Sequence, residues 1–452
     1  MLFYNQITLT PEELKSRGIL DAPQALRNLE LIRSRLGTEA FSSLLPPLLA
    51  AVSRAGDPDM ALNNAERFVN ALEDVSPFLS LCRDRPEGLL SLTTMFGGSR
   101  FLSTYLASIA DESLTLLADP AYLSRAAGKK LLSEQLCSLM EGVQSEQDLF
   151  STLRKFRRRQ MLRIGLRDLM GKADLQETVG ELSDLAEVCL QAAYEYVNAD
   201  LQKKFGRPLV RGEDGPAVPA GFAIIAMGKL GGRELNFSSD IDLMYVYTAD
   251  GETEGAQTPE GAAMNRITNH QYFVKFAEKL TAAIGQSTED GFVFRVDLRL
   301  RPEGQRGPLA QSLGGYEIYY ESWGQTWERS ALLKARPVAG DEAAGREFMD
   351  RIAPFVYRKY LDFSAIAEVR EMKQKINKDV QQKGKTFRDV KLGHGGIREI
   401  EFLIQALQLI YSGRDRALRE KNSLKALHML SQKGLLTYQE MAELSRAYVF
   451  LR

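Results

Sequence analysis

The run "GFAIIAMGKLGGRELNFSSDIDLMYVY", residues 221–247, constrains the fold more than any other stretch. "GFAIIAM" is long enough and apolar enough for a buried strand, and "IDLMYVY" is rich in residues that favour a pleated surface. Between them lie glycines, serines and acids, the residues of a tight connection. A period of two puts Asp240, Asp242 and Met244 on one face of the second strand and Ile241, Leu243, Tyr245 and Tyr247 on the other. Two carboxylates therefore project side by side. Like charges at that spacing raise one another's pKa unless a cation lies between them, and hard oxygen ligands suit Mg²⁺ or Mn²⁺.

The intervening glycines Gly228, Gly231 and Gly232 are expected to turn the chain after the first strand, with backbone N–H groups and the hydroxyls of Ser238 and Ser239 available to phosphate oxygens. Lys229 is followed by Leu230, so this is not a Walker loop, and no dinucleotide-binding G-x-G-x-x-G occurs. Taken alone, a glycine turn with one D-x-D is commonplace. Asp240 as a turn former and Asp242 as a solvated strand residue is then the plainer reading.

A third carboxylate shifts that balance. "GFVFRVDLRLRPEG" predicts a strand over 292–301, with Phe292, Phe294, Val296 and Leu298 on one face and Arg295, Asp297, Arg299 and Arg301 on the other. Asp297 can face the pair, and three strand carboxylates holding two Mg²⁺ ions beside arginines form a site for displacement at phosphorus. The competing reading is a solvated antiparallel strand with Arg–Asp pairing.

Helices occupy the rest. "TPEELKSRGI" offers a Thr10 cap, Pro11 in the first turn and Glu13 for a capping box, and "DPDMALNNAERFVNAL" repeats the helical period. "KKFGRPLVRGEDGPAVPAG", 203–221, reads as an exposed connection or hairpin. After about residue 342 the helical pattern returns in "AIAEVREMKQKINKDVQQ" and "IREIEFLIQALQLI". The fold class expected is α+β and mostly helical, with a helical region over 1–200, a mixed-sheet domain over 201–341 and a helical bundle over 342–452. No internal repeat is apparent. "TYQEMAELSRAYVFLR" is a helix that ends at Arg452 without a terminating Gly, Asn or Pro, which suggests a break inside a longer protein; a natural C-terminal helix is the alternative.

Across 452 residues, 58 Lys and Arg balance 59 Asp and Glu, so no global field recruits nucleic acid or an anionic membrane. Any anion recognition is local. The start lacks a secretion signal and no apolar run spans a bilayer, so a soluble, cytoplasmic protein is expected. Cys82, Cys137 and Cys189 match neither a zinc spacing nor a disulfide framework and read as small buried residues. His270, His394 and His428 form no cluster, and Trp323 and Trp327 read as core.

Other basic residues have two readings each. Lys334 and Arg336 alternate outward on an expected strand and can hold phosphates, with Arg329 assisting; surface ion pairing is the alternative. "KLGHGGIRE" sets Gly393, Gly395 and Gly396 before a helix starting near Ile397, an anion site with Lys391 and Arg398 beside it or a tight interdomain turn. Arg154, Lys155, Arg157, Arg158 and Arg159 read foremost as a solvated helix face, with a substrate-facing cleft as the other option.

Gly231-Gly232 followed by Asp240-Ile-Asp242, with a later strand aspartate, resembles the nucleotidyltransferase superfamily of DNA polymerase β. Within it, "GKLGGRELNFSSDIDLMYVY", "FRVDLRLRPEG", "ESWGQTWERSALLKARPVAGD" and "KLGHGGIREIEFLIQ" resemble the glutamine synthetase adenylyltransferase/adenylyl-removing family. The resemblance covers most of 140–452 and implies two homologous halves, one removing AMP from a glutamine synthetase tyrosine and one attaching it. It points to the first half: inorganic phosphate attacks adenylyl-tyrosine, giving ADP. Asp240, Asp242 and Asp297 are then the catalytic and metal-binding residues for two Mg²⁺ or Mn²⁺ ions. Gly231, Gly232, Ser238, Ser239, Arg299, Arg301, Lys334, Arg336, Lys391, Gly395, Gly396 and Arg398 are candidates for nucleotide or phosphate binding. Adenylylated glutamine synthetase is the implied protein substrate and the PII signalling protein the implied regulator, with no nucleic acid or membrane partner. The alternatives are the forward adenylyltransferase using ATP, and a non-catalytic module binding PII or glutamine.

Overall fold

The computed structural model describes residues 2–4, 7–119, 121–124, 126–210, 216–257, 263–358, 371, 374 and 389–452. The chain divides into two compact units, Met1–Ala127 with Arg158–Thr178, and Gly128–Arg157 with Val179–Arg452. Residues 128–157 and 179–200, read from sequence with the helical region, thus fold with the sheet.

The first unit is helical apart from a small hairpin of Leu2–Tyr4 with Ile7–Leu9. Its first helix starts where the sequence places it: Thr10 accepts from the Glu13 amide, Glu13 caps back, and Pro11 occupies the first turn. Asp57 caps Pro58–Ala71 in the same manner. The core gathers rings, with Phe68 against Phe78 at 6.1 Å and Phe96 at 5.5 Å.

The second unit is built on a mixed sheet of β1 (Phe222–Ala226), β2 (Ile241–Tyr247), β3 (Val296–Asp297), β4 (Ala310–Ser312) and β5 (Arg336–Gly340). The order is β3-β2-β1-β5, with β4 also pairing β2. β1 is antiparallel to both neighbours, whereas β3 and β4 run parallel to β2. Period-two alternation buries both faces. Phe222 lies 4.6 Å from Phe276 and 5.4 Å from Phe273, rings of the helix Asn269–Gly285. On the other face Ala223, Ile225, Met244 and Val246 join Tyr316, Phe348 and Ile352. Outside this sheet, Pro208–Val210 and Val218–Pro219 pair antiparallel, as a hairpin reading of 203–221 requires. Helices Ile397–Tyr411, Ser423–Gln432 and Tyr438–Leu451 share a smaller core around Leu427 and Tyr448. The helical reading of "AIAEVREMKQKINKDVQQ" falls, apart from positions 371 and 374, outside the described residues.

Several expectations are overturned. The strand expected over 292–301 shrinks to Val296–Asp297, because Val293 and Phe294 are both buried in succession and Arg299 and Leu300 already turn. Arg154 and Arg157 do not face solvent. Arg154 is fully buried and donates to the carbonyls of Phe150, Ala283, Gln286 and Gly291. Ala283 and Gln286 close a helix whose last carbonyls lack intrahelical donors, and a guanidinium satisfies several at once. Trp323 and Trp327 are 71% and 45% exposed, since Tyr316, Tyr320 and Phe348 already fill the interior at that level. Cys189 is buried, but Cys82 is half-buried and Cys137 exposed.

Buried ion pairs tie this unit together. Glu187, with a side chain 1% exposed, meets Lys129 at 2.5 Å, Arg336 at 2.5 Å and Arg233 at 3.6 Å. Burial pushes its carboxyl up, but the Arg336 and Lys129 bonds and charges outweigh that and hold it below its ordinary value. Removing Glu187 takes away the carboxylate that pairs with Lys129 and Arg336, while Arg233 keeps Asp184 at 2.8 Å. Glu187→Ala is expected to cost about 3 to 5 kcal/mol of unfolding free energy in this unit, read by urea denaturation followed by tryptophan fluorescence; a loss under about 1 kcal/mol, the range of exposed pairs, would contradict the assigned burial.

Candidate active site

β2 and β3 bring the acids together. Asp297 is the parallel-register partner of Asp242, so their side chains leave the same face of adjoining strands. Asp240 precedes β2 by one residue. Every β2 residue from Ile241 to Tyr247 is buried except Asp242, which is half-buried. Its carboxylate has no hydrogen bond or ion pair among the described residues, whereas its backbone carbonyl accepts from the Met227 amide at 2.8 Å. Gly228, with φ +51°, lies so close that a Cβ there would be 2.4 Å from Asp242 Oδ2. Only glycine fits, both for the left-handed backbone and for the contact.

Electrostatics sets Asp242 apart. Burial, then the charges of Asp297 and Asp240, push its carboxyl up to about 6. Its two neighbours are already partnered. Asp240 accepts from Arg295 Nε at 2.5 Å, and Arg295 also donates to the Ser238 carbonyl. Asp297 is gripped by the Arg299 guanidinium and accepts the Arg299 amide at 2.8 Å, which holds it below its ordinary value. Among the described residues no three acids, imidazoles or thiols close on a single point as they stand. The donor set is nevertheless of the right kind for a hard divalent cation: carboxylate oxygens only, with the central one half-buried and unmatched among the described residues.

The glycine segment is not the open turn expected. Residues 228–231 form one helical turn, and the amides of Gly231 and Gly232 donate to the carbonyls of Met227 at 3.0 Å and Gly228 at 3.1 Å. Those two N–H groups face their own turn rather than a ligand. Gly231 serves close approach instead, since a Cβ would lie 1.9 Å from the Lys334 carbonyl. Ser239 accepts from Lys229 Nζ at 3.3 Å.

The expected cations separate into two groups. Lys334 is buried, not outward-facing, because it precedes β5 in a turn where its ammonium meets Glu234 at 2.6 Å and Ser423 at 3.1 Å. Arg336 binds Glu187 and the carbonyls of Leu230 and Gly231. Arg301 is buried on the carbonyls of Leu298, Gln305 and Gly307, closing the turn after β3. Arg329, also buried, donates to the Phe355 and Val356 carbonyls. By contrast Arg299 and Lys391 are exposed and within electrostatic reach of Asp242. The helix after "KLGHGG" begins at Ile397, but its entry caps itself: the amides of Ile397 and Arg398 donate to the carbonyls of Val390 and Lys391, and Gly395 donates to Glu399 at 2.9 Å. Gly396 leaves no room for a Cβ, at 2.7 Å from the Val390 carbonyl. The tight-turn reading describes this loop. Arg398 is exposed.

Sequence reasoning did not single out Arg295, Glu187, Glu234 or Lys229. Arg295 had a signal, its place two residues before Asp297 on the same face. Glu187 and Glu234 had none, since one lies in a long helix and the other in a loop, and both take their partners from distant segments.

Clustered acids at the edge of a mixed sheet, beside a glycine turn and with cations near, define an α+β protein with an acidic site. Residues 89–351 match the family model for glutamate-ammonia ligase adenylyltransferase, and residues 370–452 match that for GlnD PII-uridylyltransferase. The chain belongs to the glutamate-ammonia ligase adenylyltransferase family. It is 41% identical over 362 residues to a Thioalkalivibrio sulfidiphilus protein named bifunctional glutamine synthetase adenylyltransferase/adenylyl-removing enzyme, covering 80% of this chain and 36% of that protein. Proteins of the same name from Hahella chejuensis (45% over 317 residues; 70% and 32% covered) and Pseudomonas aeruginosa (40% over 416 residues; 91% and 40% covered) are similar. The chain thus spans between about a third and two fifths of the length of these relatives.

The raised Asp242 carboxyl fixes the sign of a pH effect. Its folded value of about 6 lies above the ordinary 3.8, so the folded state binds the proton more tightly. The stabilisation is complete below about pH 4 and is lost as pH rises through about 6. Without added divalent metal, Asp242→Asn is expected to unfold like the parent at pH 4 and to be more stable by up to about 3 kcal/mol above pH 7, read by denaturant melts at both pH values. Equal gains at both would show that ionisation is not the cause.

Proposed function

We propose that this chain removes AMP from an adenylylated tyrosine of glutamine synthetase by phosphorolysis, on a nucleotidyltransferase-type sheet that carries Asp240, Asp242 and Asp297. The observation that carries the reading is Asp242: a half-buried carboxylate, in register with Asp297 and next to Asp240, without a hydrogen-bond or ion-pair partner among the described residues. A fold that tolerates such a charge has a use for a cation there. Asp240, Asp242 and Asp297 would hold two Mg²⁺ or Mn²⁺ ions, which when bound would supply the positive charge that displacement at phosphorus needs. The aspartates' own part is to fix the reacting phosphorus beside β2, with Arg295 and Arg299 giving up Asp240 and Asp297 as the site fills.

The chemistry needs no strong side-chain base. A phosphate oxygen forms the new bond to the α-phosphorus, the bond to the tyrosine oxygen breaks, and the phenolate takes a proton from solvent to leave tyrosine and ADP. Phosphate is largely the dianion near neutrality and a phenol of pKa about 10 is a competent leaving group. Each of the three histidines meets another side chain: His270 Tyr247, His394 Glu399 and His428 Gln432. The names of the relatives include both attachment and removal, so attachment from ATP is the rival for the same site. The match of 370–452 to a PII-uridylyltransferase model supports PII as a regulator.

Incubation with adenylylated glutamine synthetase, Mg²⁺ and phosphate is expected to release ADP, with strict phosphate dependence, and Asp242→Asn is expected to lose at least about a hundredfold in rate. Release of AMP without phosphate, or efficient labelling of unmodified glutamine synthetase from ATP, would reject phosphorolysis as the reaction.

A further inference from the structure

Around the acids almost every basic side chain is already neutralised or tied to carbonyls, which makes the exceptions informative. Arg295 and Arg299 hold Asp240 and Asp297, Lys334 holds Glu234, and Arg336 holds Glu187. Lys229 and Lys391 have no carboxylate within ion-pair distance among the described residues. Lys229 is the residue after Gly228, which touches Asp242, so it leaves the glycine turn next to the acids. Its ammonium is half-buried, and its partner is the neutral Ser239 hydroxyl at 3.3 Å, one residue before Asp240. Arg452, Lys391 and Lys334 act electrostatically against the ammonium and Glu401 in its favour. Lys334 is answered by Glu234, and Arg452 donates to neutral oxygens of Glu234 and Asn236, with Glu401 3.9 Å away. Burial and these cations disfavour the ammonium and lower its pKa. An ammonium kept half out of water and beside like charge is stabilised when an anion joins it.

We propose that Lys229, assisted by Lys391, is the subsite for a phosphate oxyanion that approaches the acids from the side of the glycine turn. The inference rests on the function proposed above, in which that oxyanion is the attacking inorganic phosphate. The same chemistry has a second source, the polyphosphate of a nucleoside triphosphate. An attacking dianion needs cationic partners distinct from any cation at the aspartates, and Lys391 lies within electrostatic reach of both Asp242 and Lys229.

Inorganic phosphate is titrated by calorimetry into the Mg²⁺-loaded chain, without glutamine synthetase, for the parent, Lys229→Met and Lys229→Arg. Phosphate affinity is expected to fall roughly 10- to 100-fold in Lys229→Met and to be largely retained in Lys229→Arg. The Mg²⁺-induced rise in melting temperature is expected to be the same in all three. In turnover, KM for phosphate should rise in Lys229→Met while KM for adenylylated glutamine synthetase stays constant. Equal phosphate binding by the parent and Lys229→Met overturns the proposal, as does a Lys229→Met chain that loses the Mg²⁺ response together with phosphate. A parallel titration with ATP identifies the source: if only ATP binding weakens, the phosphate assignment is wrong. Lys229-dependent phosphate binding without ADP release keeps the subsite and sinks phosphorolysis. ADP release with an unchanged phosphate KM in Lys229→Met does the reverse.

Discussion

The unmatched charge of Asp242 is the constraint around which the second unit is arranged. A carboxylate at the end of a strand buried on both faces is costly to ionise, and Asp240 and Asp297 raise that cost. The surrounding structure does not relieve it. Gly228 brings backbone against the carboxylate without offering a donor side chain, and the nearest arginines are turned to the flanking acids. On the function proposed above, what is unfavourable for the bare carboxylates would become binding free energy for a cation.

The other buried acids have the opposite character. Glu187 collects Lys129, Arg233 and Arg336, and Arg336 passes the constraint on by holding the carbonyls of Leu230 and Gly231. Glu234 binds Lys334 and accepts from Ser423, linking the loop before Asp240 to the C-terminal helices. Arg452 and Asn422 reach the same loop, at Asn236 and Gly232. The chain leading from the glycine turn to the acids is therefore fixed from two sides by satisfied charges. Rigid support of this kind keeps the carboxylates in place when they would otherwise repel one another apart.

The partition of the basic residues follows from the same economy. Arg154, Arg301 and Arg329 sit on backbone carbonyls, where a planar guanidinium satisfies several acceptors at once. Lysines cannot do this as well, and Lys229 meets only the neutral Ser239 hydroxyl while Lys391 lies within electrostatic reach of Asp242. Of the basic run read as a solvated helix face, Arg154 and Arg157 are interior while Lys155 and Arg159 are exposed.

Local pattern alone determined the two strands 222–226 and 241–247, the faces of the second, and the capped helix start at Thr10, because these depend on neighbours within a few residues. Together with the D-x-D it also pointed to Asp297, since a period-two face is a local property even when the strand itself shrinks to two residues. Which cations remain for a ligand was decided by tertiary structure. Lys334, Arg336 and Lys229 look equivalent in sequence, and only the arrival of Glu234 and Glu187 from distant segments consumes the first two and spares the third. Electrostatic neutralisation depends on through-space distance, and that distance is set by packing between elements a hundred or more residues apart in the chain.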